Sequence, residues 1–290
     1  MRAVVFAYHD VGVHCLRALL AAGIQVDLVV THQDDPNENV WFGSVIQLCS
    51  EQRIPYITPS ATELNNLIPQ LQAIAPDYIF SFYYRNMIPA EILACAKIAA
   101  LNMHGSLLPK YRGRAPVNWA ILHGETKTGA SLHVMEVKPD AGDIVGQSEV
   151  NIGPNETATE VFAKVSQAAV KVMESVLPEL ILGHVPRKPN NLAQGSYFGG
   201  RKPADGQIHW NQTATQVHNL IRAVAPPYPG AFTDWEGQTR IIARSRLQGP
   251  FPEKLDLGAQ GIQVVDNRVF GICGDHQAIE ILEWFPAKTY

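Results

Sequence analysis

The sequence predicts an α/β protein in two parts. Residues 1–200 read as a Rossmann-like domain, a mostly parallel sheet with helices on both faces, and residues 201–290 as a smaller β-rich domain. Three observations predict this. Short apolar runs alternate with segments of helical periodicity through the first half; one long helical pattern covers residues 157–182; and from residue 206 onward come one helix and several short strand candidates.

Taken in order, residues 3–7 form an apolar run read as the first buried strand. Residues 13–22 have helical spacing that stops at Gly23, and residues 26–30 form the next strand. A helix is expected over 64–75 and a strand over 78–82. Residues 98–101 read as a short buried strand and 129–136 as another. In a sheet of this kind ligands sit at the strand carboxyl ends. The 157–182 helix closes the domain, and the irregular stretch 184–200 carries the boundary. The second part then has a helix around 214–224 and strands near 239–243, 262–265 and 278–281. No internal repeat or low-complexity tract interrupts this order.

The chain has 290 residues, 17% of them charged, and a net charge of −4, so it has no bulk attraction to nucleic acid or anionic lipid. No apolar run reaches the roughly 20 residues that cross a bilayer, and the N-terminus enters a strand directly; cytoplasmic residence is the expectation. Cys15, Cys49, Cys95 and Cys273 lie far apart with no Cys-x-x-Cys pair, which predicts reduced buried thiols. No helical His-x-x-x-His motif accompanies them, and no metal is expected. The first β–α turn reads Ala7-Tyr-His-Asp-Val-Gly12 and lacks the Gly-x-Gly-x-x-Gly that admits a pyrophosphate, so no NAD is expected either.

The richest chemistry lies in residues 101–119. Asn102 and His104, two apart at the end of a strand, project to the same side. An amide N–H that stabilises a developing oxyanion and an imidazole that moves a proton then serve one reacting carbon. Asp140, in the turn Pro139-Asp-Ala-Gly142, is an acid placed to reach a neighbouring strand end and hold the imidazole. Taken singly, Asn-x-His at a strand end is more often a local turn device, and Asp140 a turn residue. His9 and His32 follow strands and read as hydrogen-bonded structural histidines, while His133 falls inside the 129–136 strand. Of Tyr83 and Tyr84, one is expected in the core and the other as a wall for a flat ligand.

These segments together resemble the folate-dependent formyltransferases, and among them the sugar-nucleotide N-formyltransferases. The resemblance is carried by residues 4–10, by Phe80-Ser-Phe-Tyr-Tyr-Arg85, by 101–119, by Lys138-Pro-Asp-Ala-Gly-Asp-Ile-Val145 and by 221–232. It implies that Asn102 stabilises the transition state, that His104 is the general acid/base and that Asp140 raises the pKa of His104. It implies 10-formyltetrahydrofolate as donor, lying against Asn86, Met87 and Ile88, against Arg114, and along Glu136, Val137, Lys138, Pro139 and Asp140. It also implies an open-barrel, OB-like second domain.

Lys110, Arg112 and Arg114 read either as a solvated charge run or as partners for anions, since folate brings carboxylates and a sugar nucleotide a diphosphate. Arg114 goes with the folate; Lys110 and Arg112 are candidates for the acceptor. The acceptor expected from the resemblance is an amino-sugar nucleotide, first UDP-4-amino-4-deoxy-L-arabinose, in lipid A or lipopolysaccharide modification and polymyxin resistance. The alternatives are a methionyl-tRNA formyltransferase, a formyltetrahydrofolate hydrolase and a silent folate binder. Against the tRNA reading, the loop after the second strand carries Asp34, Asp35 and Glu38 and no lysine or arginine. Oligomeric state, and whether the chain is whole or part of a bifunctional enzyme, stay open.

Overall fold

The computed structural model describes residues 1–35, 39–247 and 249–287; Glu38 of the acidic loop lies outside them. In chain order come β1 (Arg2–Ala7), α1 (His9–Ala21), β2 (Gln25–Val30), α2 (Val45–Gln52), β3 (Tyr56–Ile57) and a 3-10 turn (Ala61–Leu67). Next are α3 (Ile68–Ile74), β4 (Tyr78–Phe82), α4 (Ala90–Leu93), β5 (Ala99–His104), β6 (Arg112–Gly113) and α5 (Pro116–Leu122). Then follow β7 (Lys127–Val134), β8 (Ile144–Asn151), α6 (Ala158–Ile181), β9 (Tyr197–Phe198) and α7 (Ala214–Val224). The chain continues through β10 (Ala231–Trp235), β11 (Gln238–Arg246), β12 (Gly261–Val265), β13 (Arg268–Ile272) and β14 (Ala278–Pro286).

Seven strands form one sheet in the order β3-β2-β1-β4-β5-β7-β8. The first five are parallel to their neighbours, and β7 turns back antiparallel to β5. The apolar runs that predicted strands are central strands covered on both faces. Every residue of β4 is buried, and its two faces meet different helical elements. Ile79 joins Val4, Phe6, Leu28 and Val30 beneath Leu64, Leu67 and Leu71, whereas Tyr78, on the opposite face, donates its hydroxyl to the Leu180 carbonyl of α6 at 2.9 Å. The helix expected over 64–75 is two pieces. Ser60 and Glu63 cap the 3-10 turn, and Pro69, tolerated only in a first helical turn, marks the fresh start of α3.

The contacts divide the chain discontinuously. One compact unit holds 1–113, 129–150 and 164–197; the other holds 114–128, 151–163 and 198–290. By contacts, two segments before residue 200 belong with the second unit, one of them carrying α5. Its helix buries Val117, Ala120 and Ile121, and Asn118 donates to the Ala223 carbonyl of α7 at 2.7 Å. The second unit carries a five-stranded antiparallel sheet, β10-β11-β14-β13-β12, with β10 and β12 at its ends and a single parallel bridge from Gln207 to Phe232 on β10. This is the open-barrel module expected. Phe270, Ile272, Ala278 and Leu255 form a core on it, and Glu280, 6% exposed, accepts from both Arg246 and Arg268.

All four cysteines are free; burial pushes the thiols of Cys15, Cys49 and Cys273 up, so they stay protonated. Among the described residues no helix is long and apolar enough to cross a membrane.

Candidate active site

The antiparallel return of β7 builds the site. Its register sets Asn102 opposite His133 and His104 opposite Ser131, so these four side chains share one face of the β5–β7 pair. Asp140 arrives from the turn that follows. Its φ is +50°, and the amide of Asn190 holds the turn by donating to the Asp140 and Gly142 carbonyls at 3.1 and 3.2 Å. Gly142 is required there, because a Cβ would collide with the Val134 carbonyl oxygen.

One carboxylate oxygen, Asp140 Oδ1, is the point of convergence. It lies 3.3 Å from His133 Nε2, 3.4 Å from Asn102 Nδ2 and 3.5 Å from His104 Nδ1. The other oxygen accepts the Gly113 backbone N–H at 2.8 Å. Burial alone would raise the carboxyl pKa; His104, His133 and the Gly113 N–H outweigh it and hold Asp140 well below the usual carboxylate range.

His104 Nε2 lies 2.7 Å from the Tyr111 carbonyl oxygen. A carbonyl only accepts, so Nε2 carries a proton and the neutral ring presents a bare Nδ1 toward Asp140. Tyr111, at φ +57°, is secured by its N–H donating to Ser196 Oγ at 2.8 Å. The tautomer is thus fixed by a backbone carbonyl, where the acid was expected to fix it. Burial lowers the His104 pKa; Asp140 and the Tyr111 carbonyl push it up and His133 pushes it down, and burial prevails. Asp140 therefore has the expected upward influence, but His104 as a whole sits below an ordinary imidazole and rests neutral.

The segments expected to hold folate flank the same region. Ile88 and Met135 pack on one hydrophobic cluster, while Met87 and Val137 are 64% and 80% exposed. Asn86 and Pro139 are half-buried, Glu136 and Lys138 exposed. Arg114 is exposed and belongs to the second unit, where its N–H donates to the Phe198 carbonyl. The three cations do not form a uniform solvated run. Lys110 is exposed, but Arg112 is 8% exposed on β6, and its Nε has no hydrogen-bond partner among the described residues.

At the carboxyl ends of β1, β2 and β4 lies an aromatic ledge. His9 stacks on Phe42 at 4.0 Å, Tyr84 stacks on His32 at 4.2 Å, and the Arg85 guanidinium lies 4.6 Å over the Tyr8 ring. Tyr84 also meets Phe6 edge-on and packs on the core, so it is the core member of the tyrosine pair. His32 Nε2 accepts the Arg85 N–H at 3.0 Å, and burial, with help from Arg85, brings its pKa down to about 4. His9 Nδ1 accepts the Asp10 N–H, and Asp34 accepts the Tyr8 hydroxyl at 2.7 Å.

Two participants escaped the sequence reading: the Tyr111 carbonyl and His133. A signal for His133 existed, since Ser131 and His133 alternate on β7 just as Asn102 and His104 do on β5. Among the described residues no group of His, Cys, Asp and Glu is disposed to hold a metal ion.

A formyl transferase family model matches residues 1–177, and the model of the formyl transferase C-terminal domain matches residues 201–289. Three solved structures share the fold. The sugar 3N-formyl transferase WlaRD, crystallised in the presence of dTDP and 5-N-formyl-THF, superposes with a TM-score of 0.76 at 19% identity, over 100% of this chain and 99% of that one. An N-formyltransferase from Helicobacter canadensis, in complex with folinic acid and dTDP-3-aminofucose, gives 0.72 at 20% identity, over 97% and 98%. A 4-N formyltransferase from Francisella tularensis gives 0.68 at 22% identity, over 83% and 96%.

Proposed function

Because the chain belongs to the formyl transferase family and carries both of its domains, we propose that it transfers the formyl group of 10-formyltetrahydrofolate to the amine of an amino-sugar nucleotide. UDP-4-amino-4-deoxy-L-arabinose is the proposed acceptor, with the formamido sugar serving cell-envelope glycan or lipid A modification in the cytoplasm. The observation that carries this reading is the convergence of Asn102, His104 and His133 on Asp140 Oδ1.

When bound, 10-formyltetrahydrofolate supplies an electrophilic formyl carbon on a nitrogen leaving group. The chain has features that suit it: exposed apolar Met87 and Val137 for a flat ring, Lys138 for a carboxylate, and the unsatisfied Arg112 Nε for an anion of either reactant. His104 Nδ1 takes the proton of the attacking amine and delivers it to the departing nitrogen. Asn102 Nδ2–H donates to the formyl oxygen as charge develops there, a contact worth about 3 kcal/mol of barrier. Asp140 stabilises the imidazolium in between, and its Gly113 bond keeps it from swinging away. The loose 3.4–3.5 Å spacings fit groups that tighten only around reactants.

For the acceptor, we assign the aromatic ledge with Arg85 to the nucleotide, stacking for the base and a cation for the diphosphate, with Lys110 as a second cation. The test is a panel of UDP- and dTDP-linked amino sugars incubated with formyl-folate, read by mass for a product heavier by one carbonyl unit. Formylation of the UDP-4-amino-arabinose above all others supports the assignment. Preference for a dTDP sugar would move it, and formate release without any amine would replace transfer by hydrolysis.

A further inference from the structure

The Asn102 amide has two N–H groups and one oxygen, and nothing in its own chemistry decides which end faces the reaction. Its neighbours decide. His133, 1% exposed, lies 2.8 Å through Nδ1 from the Val134 carbonyl, which only accepts; Nδ1 therefore carries the ring proton. With no second proton on the ring, Nε2 presents a lone pair, and Asn102 Nδ2 stands 3.0 Å from it. With Asp140 Oδ1 at 3.4 Å on the same side, both neighbours are acceptors and both select the N–H end.

We propose that His133 is a positioning residue for the transfer: it anchors one Asn102 N–H through Nε2, and so aims the other, only loosely engaged by Asp140, at the formyl oxygen. This rests on the catalytic reading of Asn102, His104 and Asp140 given above. The backbone carbonyl of Val134 fixes the tautomer of His133 as that of Tyr111 fixes His104, so two histidines share one carboxylate with different tasks. His104 exchanges a proton at Nδ1; His133 must not. The groups facing the His133 ring are Asn102, Asp140 and the Val134 carbonyl, with His104 near enough to interact with it by charge. A proton on Nε2 would turn that acceptor into a donor, bind Asp140 Oδ1 across the present 3.3 Å, and expel the Asn102 N–H.

The test compares His133→Phe, which keeps a ring but has no acceptor, with His133→Gln, whose amide oxygen can reach the Nε2 position. Turnover is measured with formyl-folate and whichever panel sugar nucleotide the wild type formylates fastest; folinic acid affinity is measured separately. The expected loss is about 100-fold in kcat for the phenylalanine variant, with folinic acid affinity within about threefold, and recovery to within about tenfold for glutamine. In an Asn102→Ala background the phenylalanine change should cost less than about threefold, since the group it serves is gone. Imidazole 15N shifts give a readout free of turnover, with His133 protonated at Nδ1.

Full activity in both single variants, an undiminished loss in the Asn102→Ala background, or a His133 proton on Nε2 would overturn the proposal. The catalytic reading fails separately: it is His104→Ala and Asn102→Ala that must each lose about 100-fold or more of kcat, with measurable residual turnover, for it to stand.

Discussion

His104 donates from Nε2 to the Tyr111 carbonyl across 2.7 Å, and this bond leaves Nδ1 as the ring's bare nitrogen. Because Asp140 faces that same Nδ1, in the proposed transfer the acid stabilises the imidazolium as it forms. Replacing His104 by alanine should reduce kcat by about 100-fold or more while folinic acid binding changes less than about threefold, since general acid/base help acts mainly in the transition state. Rapid turnover by that variant would remove His104 from the mechanism.

Asp140→Asn tests the coupling without emptying the site. Burial holds the His104 pKa down and Asp140 partly restores it, so loss of the charge lowers it further. In the proposed mechanism His104 acts as a base from its neutral form, so the acid limb of kcat is expected to move to lower pH. The plateau should fall between about tenfold and a thousandfold, because the imidazolium loses its counter-charge. An unmoved limb and plateau would leave Asp140 as a turn residue.

Acidity should also weaken the fold in a defined window. His32, His104 and His218 all have pKa values lowered chiefly by burial. In the unfolded chain each takes a proton near pH 6.5, and in the folded chain only at lower pH, so the unfolded state binds more protons between these points and stability falls as pH falls. For His32 the window runs from 6.5 down to about 4. Melting temperature should drop across that range, and His32→Gln should flatten part of the drop. A wild-type melting temperature that stays level from pH 6.5 to 4 would contradict it.

Much of this was legible in the sequence because strand periodicity is local. Asn102 and His104 share a face for the same reason that Phe80 and Phe82 do, and the turn chemistry of residues 139–142 marked Asp140. What could not be read was register between distant segments. His133 lies opposite Asn102 only because β7 returns antiparallel with that one alignment, and a shift by one residue would have put Leu132 there. Buried Arg112 likewise sits on β6, which pairs with β9, a long-range pairing that no local pattern encodes. The division of the helix at Pro69, by contrast, is a local feature, since proline fits only the first turn of a helix.

Charged methionyl-tRNA should be a poor acceptor. Phosphate contacts supply most nucleic-acid affinity, and the loop after β2 offers Asp34 and Asp35 with no lysine or arginine. Asp34 is tied to the Tyr8 hydroxyl, which holds a carboxylate beside the ledge where Arg85 supplies a cation. Neutralising the pair by Asp34→Asn and Asp35→Asn should leave sugar-nucleotide turnover within about tenfold, since neither carboxylate is assigned to the chemistry. Efficient formylation of the tRNA by the unaltered enzyme at moderate salt would overturn the acceptor assignment, while the roles of Asn102, His104 and Asp140 would stand, because the same transfer chemistry serves either amine.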